Sequence, residues 1–118
     1  MTGSRTRTYV CYKCKRKIHD EESHSQTIYF VSSEEMEFIK IGITKDLETR
    51  MKKLQNASPF NLKVLRTVKG EMAHEVALHR RFASLRHNRE WFRVDLELLQ
   101  FIESLEEGEP IKLSFIEA

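Results

Sequence analysis

Two groups of side chains in this sequence have types and spacings that could do chemistry. The first is Cys11, Cys14, His19 and His24, in the pattern C-x2-C-x4-H-x4-H. Two thiols and two imidazoles so close together can wrap one tetrahedral zinc ion. The plainer alternatives are a frayed arm with incidental histidines, or a half-site completed by another chain. A segment this small cannot bury enough apolar surface to fold alone, so structure in it would depend on metal. The second group starts with Tyr29 and Lys40, a phenol and an amine carried by one hairpin. A lysine beside a phenol favours the phenolate and makes it a better proton acceptor. The bland alternative is a solvated sheet face with the lysine stem lying over the ring.

The hairpin occupies residues 27–44, TIYFVSSEEMEFIKIGIT. Apolar and polar residues alternate on both sides of a turn at residues 32–35, which is a hairpin pattern. Setting Ile28 and Phe30 against Ile41 and Ile39 makes one face wholly apolar, and places Tyr29 opposite Lys40 with Gly42 nearby. Thr44 and Asp46 are N-cap candidates for a helix running to about Gln55. Leu47, Met51 and Leu54 form its buried stripe, and Arg50 sits on the edge of that stripe. A loop at residues 56–61 leads to a third strand at residues 62–68.

Gly70 precedes a second helix, from Glu71 to about Ser84, with Val76, Leu78, Phe82 and Leu85 facing inward. Glu75 and His79 stand one turn apart and read as a helix-surface pair. Glu90 lies just before Trp91 and Phe92, two aromatics large enough to anchor a core. A carboxylate there is oriented and partly desolvated. Asp95 caps a third helix with Leu98, Leu99, Ile102 and Leu105 inward. Residues 111–115 alternate again and read as an edge strand or a partner-docking strip.

The chain of 118 residues is long enough for one domain with a core and a short appendage. Its 40% apolar and 32% charged residues are a soluble, globular composition, and two cysteines make no disulfide framework. No run is long enough to span a membrane and no signal peptide is evident, so an intracellular, cytoplasmic location is expected. The net charge is only +2 but is unevenly spread. Arg5, Arg7, Lys13, Lys15, Arg16 and Lys17 fall within the first 18 residues, which contain no acid. Such an arm suits contact with nucleic-acid phosphates, or is simply a solvated end; residues 1–8 are expected to be disordered.

The order of these pieces resembles a known family. Ile28-Tyr29-Phe30, then Lys40-Ile41-Gly42, a helical Arg50 and a later Glu90-Trp91-Phe92 resemble the GIY-YIG nuclease superfamily. Within it, IKIGIT, LETRMKKLQ, EVALHRRF and EWF resemble the branch of T5orf172 or Mug113 type. The resemblance covers residues 27–105 and implies an α+β fold, a three-stranded antiparallel sheet flanked by helices. The chain then divides into a basic, zinc-knuckle-like arm (1–26), the nuclease-like domain (27–105) and a tail with an edge strand (106–118).

The same resemblance implies roles. Tyr29 matches the first-motif tyrosine, and Lys40 stands where the second-motif tyrosine usually does. Arg50 matches the catalytic arginine, and Glu90 matches the carboxylate that binds Mg²⁺ or Mn²⁺. Leu54 occupies the place of a family histidine or tyrosine, for which His79 is the substitute. A metal-dependent DNA endonuclease follows, with Tyr29 as base, Arg50 on the phosphate and Glu90 on the metal. Two alternatives are a nucleic-acid-binding module without catalysis and a small, phage-like protein that engages a host protein. The terminal strand offers a route to that contact or to a homodimer. Protein purified without chelator is expected to carry about one zinc per chain. Metal analysis that finds none, with spectra of residues 9–24 unchanged by added zinc, removes the zinc site.

Overall fold

The computed structural model describes residues 8–11, 16–19 and 26–117. Near the N-terminus, β1 (Thr8–Cys11) pairs antiparallel with β2 (Arg16–His19) as a separate two-stranded sheet. Cys11 is opposite Arg16 and His19 opposite Thr8, so the two stand at opposite ends of this ladder. Cys14, His24, Arg5, Arg7, Lys13 and Lys15 lie outside the described residues, as do residues 1–7 of the arm expected to be disordered. The zinc expectation therefore has no support among the described residues, where no cluster of three or more metal-ligating side chains occurs.

The domain is built on five strands rather than the expected three. These are β3 (Gln26–Ser33), β4 (Phe38–Thr44), β5 (Leu62–Gly70), β6 (Arg86–Asn88) and β7 (Trp91–Arg93). Their order is β5-β3-β4-β7-β6, all antiparallel. The three expected strands are neighbours in the sheet, with β5 at one edge. The added pair is a hairpin whose two turn residues, Arg89 and Glu90, separate Asn88 from Trp91. Arg89 takes a left-handed φ of 53°, a conformation uncommon for a residue with a side chain.

In the central hairpin Tyr29 pairs with Gly42, Phe30 with Ile41 and Ile28 with Ile43. The expected pairing of Tyr29 with Lys40 is corrected by two residues. Two-residue hairpin turns favour glycine and asparagine in left-handed conformations, and Glu34-Glu35 does not supply them. The chain instead uses a loop at residues 34–37, with Met36 at φ 58° and its N–H bonded to the Ser33 carbonyl at 3.0 Å. A shift of two residues preserves the faces, so Ile28, Phe30, Ile39 and Ile41 still line the core.

That core is closed by three helices. From α2 (Met72–Arg81) come Ala77 and Leu78, and from α3 (Leu96–Ser104) come Leu98, Phe101 and Ile102. Asp95 caps α3 as expected, accepting from the Glu97 N–H at 2.9 Å. Each fully buried Ile, Leu or Phe here contributes about 1.5–3 kcal/mol. Residues 111–115 are not a strand. The chain bridges to β5 at Pro110 and then turns into α4 (Leu113–Ile116), with Ile111 and Ile116 in the core. A homodimer through a C-terminal strand has no strand to use. Among the described residues no helix is long and apolar enough to cross a membrane.

The opposite face of β3 and β4 carries Tyr29, Val31, Lys40 and Gly42, and it too is covered. Tyr29 is fully buried with its ring laid against Gly42. A Cβ at position 42 would stand 2.4 Å from the Tyr29 hydroxyl oxygen and 2.5 Å from Cζ. Gly42→Ala is expected to destabilise by about 1–3 kcal/mol, the usual cost of overpacking. In a double-mutant cycle with Tyr29→Leu the cost should fall by at least about 1 kcal/mol. Strict additivity would show that the ring does not rest on Gly42.

Candidate active site

The first helix, α1 (Leu47–Ala57), is aimed by its N-terminus. The Asp46 carboxylate accepts from the Thr49 N–H at 3.1 Å and the Thr49 hydroxyl at 2.8 Å. These bonds hold the Asp46 carboxyl below its ordinary range. Thr44 Oγ1 accepts from the Asp46 N–H at 3.1 Å, tying the cap to the end of β4. Leu47, Met51 and Leu54 are only half-buried, so α1 is a covering helix rather than part of the main core. One turn in, Arg50 reaches back and donates from Nη1 to the Tyr29 hydroxyl oxygen at 3.2 Å.

This arrangement changes the expected chemistry of Tyr29. Its pKa is raised, because burial outweighs the hydrogen bond and charge of Arg50, with Glu90 and Glu75 adding to the rise. Lys40 is not the partner that was to stabilise a phenolate. Its Nζ lies 2.8 Å from Glu90 Oε1 and 5.6 Å from the Trp91 ring centroid. Glu90 is held there by its own backbone, since its carbonyl accepts from the Ile41 N–H at 3.0 Å. The Glu90 side chain is 41% exposed, against 12% for Lys40.

The third part of the site comes from α2. Val76 is exposed, contrary to expectation, and the inward stripe is Glu75, Leu78 and Phe82 at helical spacing. Glu75 is thus a buried carboxylate, which is more informative than any exposed one. Burial is the main cause that raises its pKa, and the charge of Glu90 adds to it. His79 pulls most strongly the other way, followed by Lys40 and Arg50. His79 Nε2 lies 3.9 Å from Glu75 Oε2 and 2.9 Å from the Ile41 carbonyl oxygen. A carbonyl only accepts, so Nε2 carries the hydrogen; Arg86 Nη2 only donates, at 3.2 Å, so Nδ1 is bare. His79 is thus engaged at both ring nitrogens, and the Glu75 ion pair is with this imidazole rather than with a lysine or arginine.

Tyr29 and Arg50 are thereby joined, Lys40 and Glu90 are joined, and His79 lies beside Glu75. The residue that sequence reasoning missed is Glu75. Its signal was its place three before Leu78 and seven before Phe82, on the stripe that hydrophobicity alone assigned to Val76. Nothing is described of the side chains of the arm, so Cys11, His19, Arg16 and Lys17 add no geometry to this site.

Residues 26–105 match the T5orf172 domain, and the chain belongs to that family, a GIY-YIG-like and nuclease-associated one. No curated protein and no solved structure matches the chain.

A carboxyl whose folded-state pKa is raised favours folding only while it is protonated. Ionised Glu75 therefore works against folding at neutral pH, and that penalty fades as pH falls and both states bind the proton. Glu75→Gln is expected to raise the thermal midpoint at pH 7, with the gain shrinking as pH falls through the raised pKa and gone below about pH 4. A variant less stable than the parent at pH 7 would show that the carboxylate holds the structure together.

Proposed function

We propose that this chain hydrolyses phosphodiester bonds of DNA with the help of a divalent cation. The observation that carries this reading is the buried Glu75, destabilised by Glu90, in the same corner as Arg50, Lys40 and Tyr29. A buried carboxylate with a raised pKa, paired with a histidine rather than a lysine or arginine, is a candidate functional group. The donor chemistry suits Mg²⁺ or Mn²⁺, which bind to one or two carboxylates and complete their shells with water and phosphate oxygens. Glu90 already has Lys40 opposite its charge at 2.8 Å, whereas Glu75 has no lysine or arginine ion-paired to it among the described residues. The ion is therefore assigned to Glu75 first, with Glu90 as the second carboxylate. When bound, it would neutralise phosphate charge and lower the pKa of a water molecule.

The chain's own residues do the rest. The planar guanidinium of Arg50 holds two phosphate oxygens and stabilises the charge that grows on them. Tyr29, kept neutral, sets the direction of that guanidinium rather than serving as a phenolate. Lys40 holds Glu90 in place and adds positive charge beside the substrate. Arg5, Arg7, Lys13, Lys15, Arg16 and Lys17 supply phosphate contacts independent of sequence. A second reading, nucleic-acid binding without cleavage, is favoured by the complete burial of Tyr29 and by the engagement of both His79 nitrogens.

Nicking of supercoiled plasmid distinguishes the two. The parent should nick in Mg²⁺ and not in excess chelator. Arg50→Ala should lose about 10²–10³-fold in rate, as for a single oxyanion donor. Glu75→Gln should be inactive while folded, and Glu90→Gln should keep part of the activity. A parent that binds DNA in a salt-dependent way but never nicks it belongs to the second reading.

A further inference from the structure

The face of the sheet that carries Tyr29, Gly42 and Lys40 continues towards the other end of β4, where it meets a cluster of rings. Phe38 is two residues from Lys40 on the same side of β4, and Trp91 is paired with Lys40 across β7. Phe38, Phe60, His87 and Trp91 line one open cavity of about 330 Å³, with Glu35 and Glu37 also lining it. Phe38 and His87 are in contact with ring centroids 4.5 Å apart and planes tilted by 32°. Phe60, just after α1, is 54% exposed, a large aromatic left uncovered. These rings are not part of the main core cluster, and nothing in the phosphate chemistry above uses them.

We infer that this cavity holds one unpaired nucleobase of the strand whose phosphate lies at Arg50. Rings offer faces on which any base can stack, the usual basis of single-strand recognition. The two carboxylates repel phosphate, so a base rather than the backbone enters. They also accept hydrogen bonds from exocyclic amino groups, as acidic side chains do with cytosine. Cytosine is thereby favoured over thymine. The cavity and Gly42 are four residues apart along β4, about 13 Å, so base and phosphate belong to near neighbours on one strand. A base within a duplex has both faces stacked and cannot enter without being extruded. The site thus selects single-stranded DNA or a nucleotide at a flap, gap or bulge.

The inference rests on the nucleic-acid reading of the site, but its test does not require cleavage. Trp91 is the chain's one tryptophan, so its fluorescence reports directly on the cavity. The full chain, in chelator, is titrated with a short oligodeoxycytidylate, with an abasic strand of equal phosphate number and with an oligothymidylate. Cytosine strands should quench Trp91, and the abasic strand should bind at least about tenfold more weakly. Thymine should fall between them. Phe60→Ala should lose a similar factor and Phe60→Tyr should restore it, since the exposed Phe60 is not needed for folding. Equal affinity for abasic and cytosine strands, or no effect of Phe60→Ala, overturns the inference even if the parent nicks plasmid. Absence of quenching by every strand also overturns it, as when the chain's own arm or a protein fills the cavity. Quenching with the expected order, in a parent that never nicks, upholds the cavity and removes the nuclease reading alone.

Discussion

The site depends on the missing side chain at position 42. Because Gly42 has no Cβ, the ring of Tyr29 can lie flat on β4, closer than any other residue would permit. The ring then fills that face of the sheet beneath α1, and its hydroxyl becomes the point to which Arg50 is tied. The cap at Asp46 and Thr44 sets the direction of the helix that carries Arg50. Cross-strand pairing is thus converted into the placement of a cation over a sheet. The same ladder continues through Lys40 and Trp91, and so brings Glu90 and the aromatic cavity into line with Arg50.

Electrostatics assigns different tasks to the two carboxylates. Glu90 is half-exposed and answered by Lys40 at 2.8 Å, an arrangement stable without further help. Glu75 is buried, its pKa is raised mainly by that burial, and its ion-pair neighbour is an imidazole held at both nitrogens. A residue that works against folding and has no packing advantage over glutamine is expected where function requires its charge. The burial of Tyr29 belongs to the same pattern. The phenol is shielded, its pKa is raised by burial, and its hydroxyl oxygen accepts from Arg50.

Much of this was legible in the sequence, for identifiable reasons. Period-two alternation showed which residues of β3 and β4 face the core, because a shift of two leaves the faces unchanged. It could not show the register, which turns on whether Glu34-Glu35 makes a two-residue turn. The caps Asp46 and Asp95 were readable because one short polar side chain decides each. The β6–β7 hairpin was hidden, since Arg89 adopts its left-handed φ without the glycine or asparagine that marks such turns. The alternation of residues 111–115 misled, because Ile111 and Ile116 are buried from a bridge and a helical turn instead. Of the site, Tyr29, Lys40, Arg50, His79 and Glu90 were marked by the resemblance to the GIY-YIG superfamily, since periodicity alone read them as packing or surface residues. Glu75 was passed over because a Glu–His pair one turn apart is ordinary on an exposed helix, and only the packing of α2 shows that it is buried.

The central claim is that a divalent cation belongs at Glu75. Crystals of the protein grown with Mn²⁺, measured for anomalous scattering, locate the ion without reference to activity. The account predicts a peak within coordination distance of the Glu75 carboxylate, about 2.0–2.3 Å, with the Lys40–Glu90 pair intact. A peak on Glu90 with Lys40 displaced, or none at either carboxylate at saturating Mn²⁺, would contradict it.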